Sequence, residues 1–357
     1  MNGYLVSGIQ QIGVGVRDLD QAWRWYRRHL GLDIPVFRDD GEAALMLPYT
    51  GGVPQARKAV LAVNLQGGGG LEVWQYTKRL PIAAEFTVEL GDLGILSARL
   101  KARDVRKAYA RFREQGLELL GPVEPDPAGE PGFFVRDPTG LTFQVVTGEG
   151  WFRRGASPTG GVCGAMIGVS SLEPALALYQ DILGYDRLVY DRQGLFADLA
   201  GLPGGKRPVR RVLLAHTQPR RGAFSGLLGE SRLELVQALE RAPRKIFAGR
   251  FWGDLGFIHL CFDVRGLDAL KERCREAGFP FTVDSAQDFV MGESSGRFAY
   301  VEDQDWTLVE LVETYRLALL RRLGWFLDLR RRPPEKQLPR WLLAFLGLNR
   351  VRDKAKQ

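Results

Sequence analysis

The sequence has few cysteines, no long apolar run and, over most of its length, no excess of charge. Its three cysteines, Cys163, Cys261 and Cys274, are an odd and sparse set among 357 residues. They favour reduced thiols in a cytoplasmic protein over a disulfide framework. No uninterrupted run of about 18 apolar residues, the length that a membrane-spanning helix needs, is present. The first residues, MNGYLVSGIQQ, lack the basic and apolar regions of a secretory signal, so we expect none.

Positive charge is concentrated at the end of the chain. The formal net charge is +7, yet residues 316–357 alone hold twelve Lys or Arg and three Asp or Glu. The 315 residues before them hold 37 basic and 39 acidic residues and are close to neutral. Because binding of nucleic acid needs a basic face on a folded surface, we expect no nucleic-acid partner for this body.

A pattern of strand, helix and further strands occurs four times. The first copy reads GIQQIGVGVRDL, AWRWYRRHLGLD and GLEVWQY, and the fourth reads GFIHLCFDVRGL, LKERCREAGFPF and TLVELVE. Copies one and three share the motif Tyr-x-x-x-Leu-Gly-x-Asp, beginning at Tyr26 and Tyr179, whereas copies two and four share closing turns that begin at Asp137 and Asp303. This alternation indicates a two-unit protein that duplicated.

The repeat predicts the domain organisation, since 357 residues exceed what a single core usually supports. We expect an N-terminal half over 1–147, with units at about 8–80 and 93–147, and a C-terminal half over 162–315, with units at about 162–240 and 256–315. The Pro- and Gly-containing stretch 148–161 is the predicted linker. Residues 316–357 form a basic apolar tail.

A βαβββ unit with polar residues on its first and last strands resembles the plan of the vicinal oxygen chelate superfamily. That superfamily includes glyoxalase I, extradiol dioxygenases, epimerases and fosfomycin- or bleomycin-resistance proteins. The resemblance covers residues 8 to about 315 and implies an α+β fold in which four units pair into two open β-cups. It is weakly informative about function, because one scaffold hosts many chemistries.

The resemblance also implies where metal ligands would lie. In this superfamily one ligand precedes the helix cap by seven residues, and the other is the polar residue of the last apolar strand. The corresponding pairs, unit by unit, are Gln11 and Glu72, Ser97 and Gln144, Gly164 and Glu234, and His259 and Glu310. Pairing units one and two collects one carboxylate and no imidazole, and pairing units three and four leaves three ligands. Pairing units one and four collects Gln11, Glu72, His259 and Glu310, which is the order of ligand types in glyoxalase I, and we favour it.

Such a quartet would suit one divalent metal ion, with Zn, Ni, Co, Mn and Fe not distinguished. The ion would bind a small substrate with two neighbouring oxygens and stabilise an enediolate-type intermediate as a Lewis acid. By resemblance to glyoxalase I, Glu310 is the expected catalytic base. We therefore expect a metal-dependent glyoxalase-like lyase or isomerase.

Other interpretations stay open at this point. Each polar residue taken singly could be a solvent-facing strand residue or a hydrogen-bonded core residue, and only their corresponding positions in units one and four favour a site. An extradiol-type ring-cleaving dioxygenase is one alternative, although its first histidine is missing here. A metal-free small-molecule binding protein of the resistance type is the other.

Four further expectations concern the surroundings. Trp74, Phe251 and Trp252 flank the proposed ligands and could shape a substrate pocket, although core packing is the usual fate of such aromatics. Gly67–Gly70 suggest a flexible hairpin tip, and His29 is expected to face solvent. The tail segments LALLRRLGWFLDLRRR and LPRWLLAFLGLNRVR either form short helices packed on the body or lie on an anionic membrane surface. The oligomeric state is not indicated.

Overall fold

The structure is a computed structural model that describes residues 3–286, 289–291, 294–320 and 324–352. Each predicted unit opens with a strand and a helix and closes with a strand. Unit one contains β1 (Leu5–Gly15), α1 (Leu19–Trp25, continued by a π-helical turn at Tyr26–Leu30), β2 (Ile34–Glu42), β3 (Ala56–Val63) and β4 (Gly70–Tyr76). Unit two contains β5 (Gly94–Ala102), α2 (Val105–Glu114), β6 (Glu118–Leu119), β7 (Glu124–Pro125), β8 (Pro131–Arg136) and β9 (Thr142–Thr147).

Units three and four repeat this plan, and the last strand of unit four is the longest. Unit three contains β10 (Val162–Gly168), α3 (Leu172–Leu176, continued by a π-helical turn at Ala177–Ile182), β11 (Arg187–Gly194), β12 (Val209–Ala215), α4 (Ser225–Leu228) and β13 (Arg232–Ala238). Unit four contains β14 (Gly256–Arg265), α5 (Leu267–Glu276), β15 (Val283–Asp284), β16 (Phe289–Met291), β17 (Ser294–Glu302) and β18 (Leu308–Leu320). The tail adds β19 (Trp325–Asp328) and α6 (Arg340–Ala344), which a 3-10 turn at Phe345–Asn349 continues.

The strands form two curled sheets, and each sheet combines two units. The first runs β15-β17-β18-β14-β1-β4-β3-β2, so it joins unit one to unit four. The second runs β11-β12-β13-β10-β5-β9-β8-β6 and joins unit two to unit three. At the centre of each sheet, the opening strands of two units pair antiparallel: β1 pairs with β14, and β5 pairs with β10. The α+β fold with two β-cups is confirmed, and the units pair as one with four and two with three.

The helices that open the four units pack against the sheets through one apolar face, and those of units one and two also have a capped start. Asp18 caps α1 by accepting a hydrogen bond from the Gln21 backbone N–H at 2.9 Å, and Asp104 caps α2 in the same way. One large core cluster joins the four unit helices to both sheets, and Trp23, Phe112 and Leu270 are among its fully buried helical members.

The shared motifs of alternate units meet in this core. The Tyr26 hydroxyl donates a 2.6 Å hydrogen bond to Asp137, and the Tyr179 hydroxyl donates a 2.9 Å hydrogen bond to Asp303. Each aspartate also accepts backbone N–H groups of its own closing turn, as Asp137 does from Thr139. The motif tyrosines of units one and three therefore bind the closing turns of units two and four, and they fasten the two sheets to each other.

Two expectations about the loops and helices are wrong. Gly67–Gly70 are buried instead of forming a free hairpin tip: a Cβ added at Gly68 would lie 2.6 Å from the carbonyl carbon of Gly161. His29 is buried, and its Nδ1 atom lies 2.8 Å from Oε1 of Gln115. Both segments serve packing between units.

The first tail segment forms strands and not a helix. β18 continues past the expected boundary at 315 to Leu320, and β19 pairs back onto it. The second tail segment is helical, as α6 and the turn after it. Leu317, Leu343 and Leu346 are buried in a cluster with the end of β3 and with α4, so the tail packs on the body. Among the described residues, no helix is long and apolar enough to cross a membrane.

Candidate metal centre

Four adjacent strands at the middle of the first sheet carry the predicted quartet. Gln11 lies on β1, Glu72 on β4, His259 on β14 and Glu310 on β18, and the sheet order places these strands side by side. All four residues are buried. Successive side chains on a strand point to opposite faces of the sheet, so the position of each residue along its strand decides whether the four side chains share one face.

The polar atoms of the quartet meet at one point. His259 Nε2 lies 3.2 Å from a carboxylate oxygen of Glu310 and 3.4 Å from one of Glu72. The Gln11 amide donates to Glu72 at 3.0 Å and to Glu310 at 3.3 Å. Among the described residues, Glu72, His259 and Glu310 form the group whose ligand atoms all lie within 4.8 Å of one another. The structure thus brings together all four predicted residues, although they span almost the whole chain.

The charges in this cluster are mutually dependent. Burial lowers the pKa of His259, but the carboxylates of Glu310 and Glu72 outweigh this effect and raise the pKa to about 9. Burial raises the pKa of Glu310, and the nearby His259 more than compensates and lowers it. An imidazolium therefore balances part of the negative charge when no other cation is bound.

The imidazole of His259 is held on several sides. The Tyr300 hydroxyl lies 3.5 Å from its Nδ1 atom, and the Trp252 ring is nearly parallel to it, at 14° and 6.2 Å between centroids. On the β1 side, Gly13 leaves room for the ring: an added Cβ would lie 2.4 Å from His259 Cε1. Because Nδ1 is engaged by Tyr300, Nε2 is the nitrogen presented to the two carboxylates.

The residues fit a divalent cation. Two carboxylates and one imidazole are suitable ligands, and the Gln11 Oε1 atom is buried without a hydrogen-bond partner among the described residues. Since the oxygen and nitrogen of an amide exchange places by a simple flip, that oxygen can serve as the fourth ligand. A cation at this point would replace the imidazolium proton as the charge that offsets the carboxylates.

An apolar cavity of about 130 Å³ adjoins the quartet. Gln11, Glu72 and Glu310 line one wall, and the rest is mostly aliphatic and aromatic, including Phe37, Phe224 and Leu346. For comparison, an engineered apolar cavity of about 150 Å³ binds benzene. The cavity therefore has room for one small apolar group beside the candidate ligands.

Comparisons with known proteins agree with this architecture. The family model described as the Glyoxalase/Bleomycin resistance protein/Dioxygenase superfamily matches residues 8–145, and a second model of the same description matches residues 165–300. The chain belongs to this superfamily. A search of curated protein sequences finds no significant match.

Solved structures of other superfamily proteins share the fold. Glyoxalase I from Zea mays is 15% identical with a TM-score of 0.53, and the match covers 86% of this chain and 92% of that one. A putative dioxygenase from Bacillus subtilis is 13% identical with a TM-score of 0.55, and the match covers 87% and 86% of the two chains. At this level of identity the likeness concerns the fold alone.

The three aromatic residues that the sequence suggested for a substrate pocket lie outside the apolar cavity. Trp74, Phe251 and Trp252 do not line the apolar cavity. Trp74 and Trp252 pack edge to face, with centroids 4.1 Å apart, and Trp252 backs the imidazole of His259. Phe251 lies under the guanidinium of Arg79. Trp74 and Trp252 pack behind the centre, and the cavity is lined instead by residues of β2, β3, β17, β18, α4 and the tail.

Tyr300 is a site residue that the repeat comparison missed. It pairs with Glu310 across β17 and β18, and the register of the other units puts Leu61, Phe134 and Leu213 at the matching place. Only unit four has a polar side chain there. That contrast was available from the sequence, but only once the strand register was known.

The second cup carries an internal cation at the equivalent place. Arg211 and Glu234 are both fully buried, and Arg211 Nε lies 2.6 Å from a Glu234 oxygen. Asp198 accepts two further hydrogen bonds from this guanidinium, at 2.8 and 2.9 Å. Burial raises the pKa of Glu234, but Arg211 and Arg99 outweigh it and lower the pKa. In unit one the residue in register with Arg211 is the small Ala59, which leaves that cup open.

Proposed function

We propose that this protein is a metal-dependent, glyoxalase-like lyase or isomerase whose small substrate carries two neighbouring oxygens and an apolar group. The observation that supports the proposal is the convergence of Gln11, Glu72, His259 and Glu310 beside an apolar cavity. A buried pair of carboxylates costs several kcal/mol unless a cation offsets it. Two such carboxylates around one imidazole are therefore expected to hold a divalent ion.

The four residues have different parts in this proposal. Gln11, Glu72 and His259 would hold the ion, with Glu310 as a loosely held fourth ligand, and the ion would act as a Lewis acid on two substrate oxygens when bound. The Glu310 side chain is 10% exposed, whereas that of Glu72 is 4% exposed, and both line the cavity. Glu310 is therefore the better placed carboxylate to take a proton from a substrate carbon and return it to the neighbouring one. The apolar cavity would hold the substrate's apolar group and exclude water from that transfer.

The first experiment is elemental analysis of the purified protein beside His259→Ala and Gln11→Ala. We expect close to one divalent ion in the wild type, loss of the ion in His259→Ala, and weakened retention in Gln11→Ala. Gln144→Ala removes the same type of side chain from the second sheet, at the position that corresponds to Glu310, and as the control it should retain the ion. Less than roughly 0.1 equivalent of metal in the wild type after growth in supplemented medium would favour the metal-free binding protein.

The second experiment separates lyase or isomerase activity from ring cleavage. The hemithioacetal of phenylglyoxal and a thiol provides two neighbouring oxygens and an apolar ring, and catechol is the matched probe for a ring-cleaving dioxygenase. We expect turnover of the hemithioacetal and a loss of roughly 10²- to 10⁴-fold in Glu310→Gln, with the metal retained. Oxygen uptake with catechol and no turnover of the hemithioacetal would instead support the dioxygenase.

A further inference from the structure

A broad basic basin lies apart from the metal centre, where the end of the first helix, the linker and the tail meet. Its volume is about 740 Å³. Its lining contains seven arginines: Arg27, Arg28, Arg111, Arg153, Arg154, Arg350 and Arg352. The lining has one acidic residue, Asp33, and this residue forms an ion pair with Arg350. The basin therefore has a strong excess of positive charge.

An apolar rim stands beside this basin on the tail. Leu348, which also lines the basin, is 65% exposed, and Trp341 is 63% exposed. Trp341 and Trp325 both pack edge to face on Phe345. Large aromatic and aliphatic side chains next to clustered arginines are a recurring feature of surfaces that bind at the membrane interface.

The tail is held firmly against the body, so this surface exists before any partner binds. Leu342 and Leu343 of α6 and Leu346 of the turn after it are buried against the body. The Val351 backbone N–H donates to the Asp33 carbonyl at 2.9 Å, next to the Arg350 ion pair. Because little ordering would accompany binding, most of the electrostatic attraction would contribute to affinity.

We propose that this face binds the surface of an anionic phospholipid bilayer, with headgroup phosphates in the arginine basin and the rim of Trp341 and Leu348 at the interface. Guanidinium groups match phosphate oxygens in planar, bidentate pairs. Free phosphate compounds would use the basin alone, and the exposed rim favours the bilayer as the source of the phosphates. This surface is independent of the function proposed for the metal centre.

The test is sedimentation of the full-length protein with vesicles of phosphatidylcholine containing 30% phosphatidylserine, against vesicles of pure phosphatidylcholine. We expect binding to the anionic vesicles only, reduced at 0.5 M salt. The variant Arg153→Ser with Arg154→Ser should lower the partition coefficient about 30-fold, which corresponds to about 1 kcal/mol for each arginine near an anionic surface. Trp341→Ala with Leu348→Ala should lower it without changing its salt dependence.

The matched control is Arg187→Ser with Arg192→Ser, which removes the same charge from exposed positions on β11, outside the basin. It should stay within about threefold of the wild type, because these two arginines do not line the basin. Equal losses in both double variants would overturn the proposal, because the basin would then have no special part. A melting temperature that rises with pyrophosphate or with a short RNA, without vesicle binding, would also overturn it and would indicate a soluble polyanion.

Discussion

Replacing Gly13 by alanine should weaken metal binding at the candidate centre, although none of its four ligands is replaced. A Cβ at this position would lie 2.4 Å from Cε1, 2.7 Å from Nδ1 and 2.8 Å from Nε2 of His259. Nonbonded carbon atoms prefer a separation of about 3.5 Å or more, so the imidazole would have to retreat by about 1 Å. Trp252 and Tyr300 pack against the ring and restrict that movement.

The expected cost can be worked out from these contacts. Overpacking of this kind typically costs about 1–3 kcal/mol of the free energy of unfolding. Metal–ligand distances tolerate errors of only about 0.2 Å, so a shift of about 1 Å removes the imidazole as an effective ligand. Changes in residues that merely orient ligands reduce metal affinity about 10- to 100-fold. We expect a loss of at least the upper end of that range in Gly13→Ala.

The assay is competition for the metal with a chromogenic chelator, together with urea unfolding of the metal-free protein. Gly132→Ala is the control, because Gly132 is also a strand glycine and its added Cβ would lie 3.4 Å from the nearest atom, the Val145 carbonyl oxygen. It should bind metal as the wild type does. Wild-type metal affinity in a folded Gly13→Ala protein would refute the argument that this glycine makes room for His259.

Three further predictions concern the rest of the molecule. Arg211→Met should lower the free energy of unfolding by about 3–5 kcal/mol in urea, because Asp198 loses its ion-pair partner and Glu234 keeps only Arg99. A loss below about 1 kcal/mol would contradict this. Burial raises the pKa of Asp263 to about 7 from 3.8, so the folded state binds the proton more tightly and the wild type loses stability as the pH rises through this range. Urea titrations at pH 4 and pH 8.5 should therefore show that the free energy of unfolding of Asp263→Asn, relative to that of the wild type, increases by up to about 4 kcal/mol. A difference in unfolding free energy that does not change with pH would contradict the raised pKa. Leu346→Ala should cost about 2–5 kcal/mol in the same assay and enlarge the apolar cavity, and tighter binding of a bulkier apolar ligand would show the enlargement.

The quartet could be located from the sequence because its positions are fixed relative to local features. Asp18 caps the first helix, and Gln11 lies on the preceding strand at the expected spacing before this cap. The same count leads to His259, although the cap position there is Gly266 in a left-handed conformation without a side-chain hydrogen bond. The repeat located the strands, and the resemblance to the superfamily implied which residue on each strand is a candidate ligand.

The features that the sequence did not reveal depend on contacts between distant segments. The first tail segment has closely spaced leucines that suit a helix, but Arg316–Leu320 continue β18, which pairs with β17 and β19. Trp74 and Trp252 stand beside the ligands in sequence, yet they pack behind His259. Arg211 in the run VRRVLLA has the appearance of an exposed strand residue, and its burial follows from Glu234 and Asp198, which no local pattern reveals.

The pairing of the first unit with the last has a consequence for synthesis. Gln11 and Glu310 are 299 residues apart, so at roughly 5–20 residues per second the first ligand waits about 15–60 s on the ribosome before the last one is made. Units two and three are adjacent in the chain and can complete their cup, with its internal arginine, during that wait. The cup that carries the candidate ligands is completed last, because its sheet includes β18, the closing strand of the fourth unit.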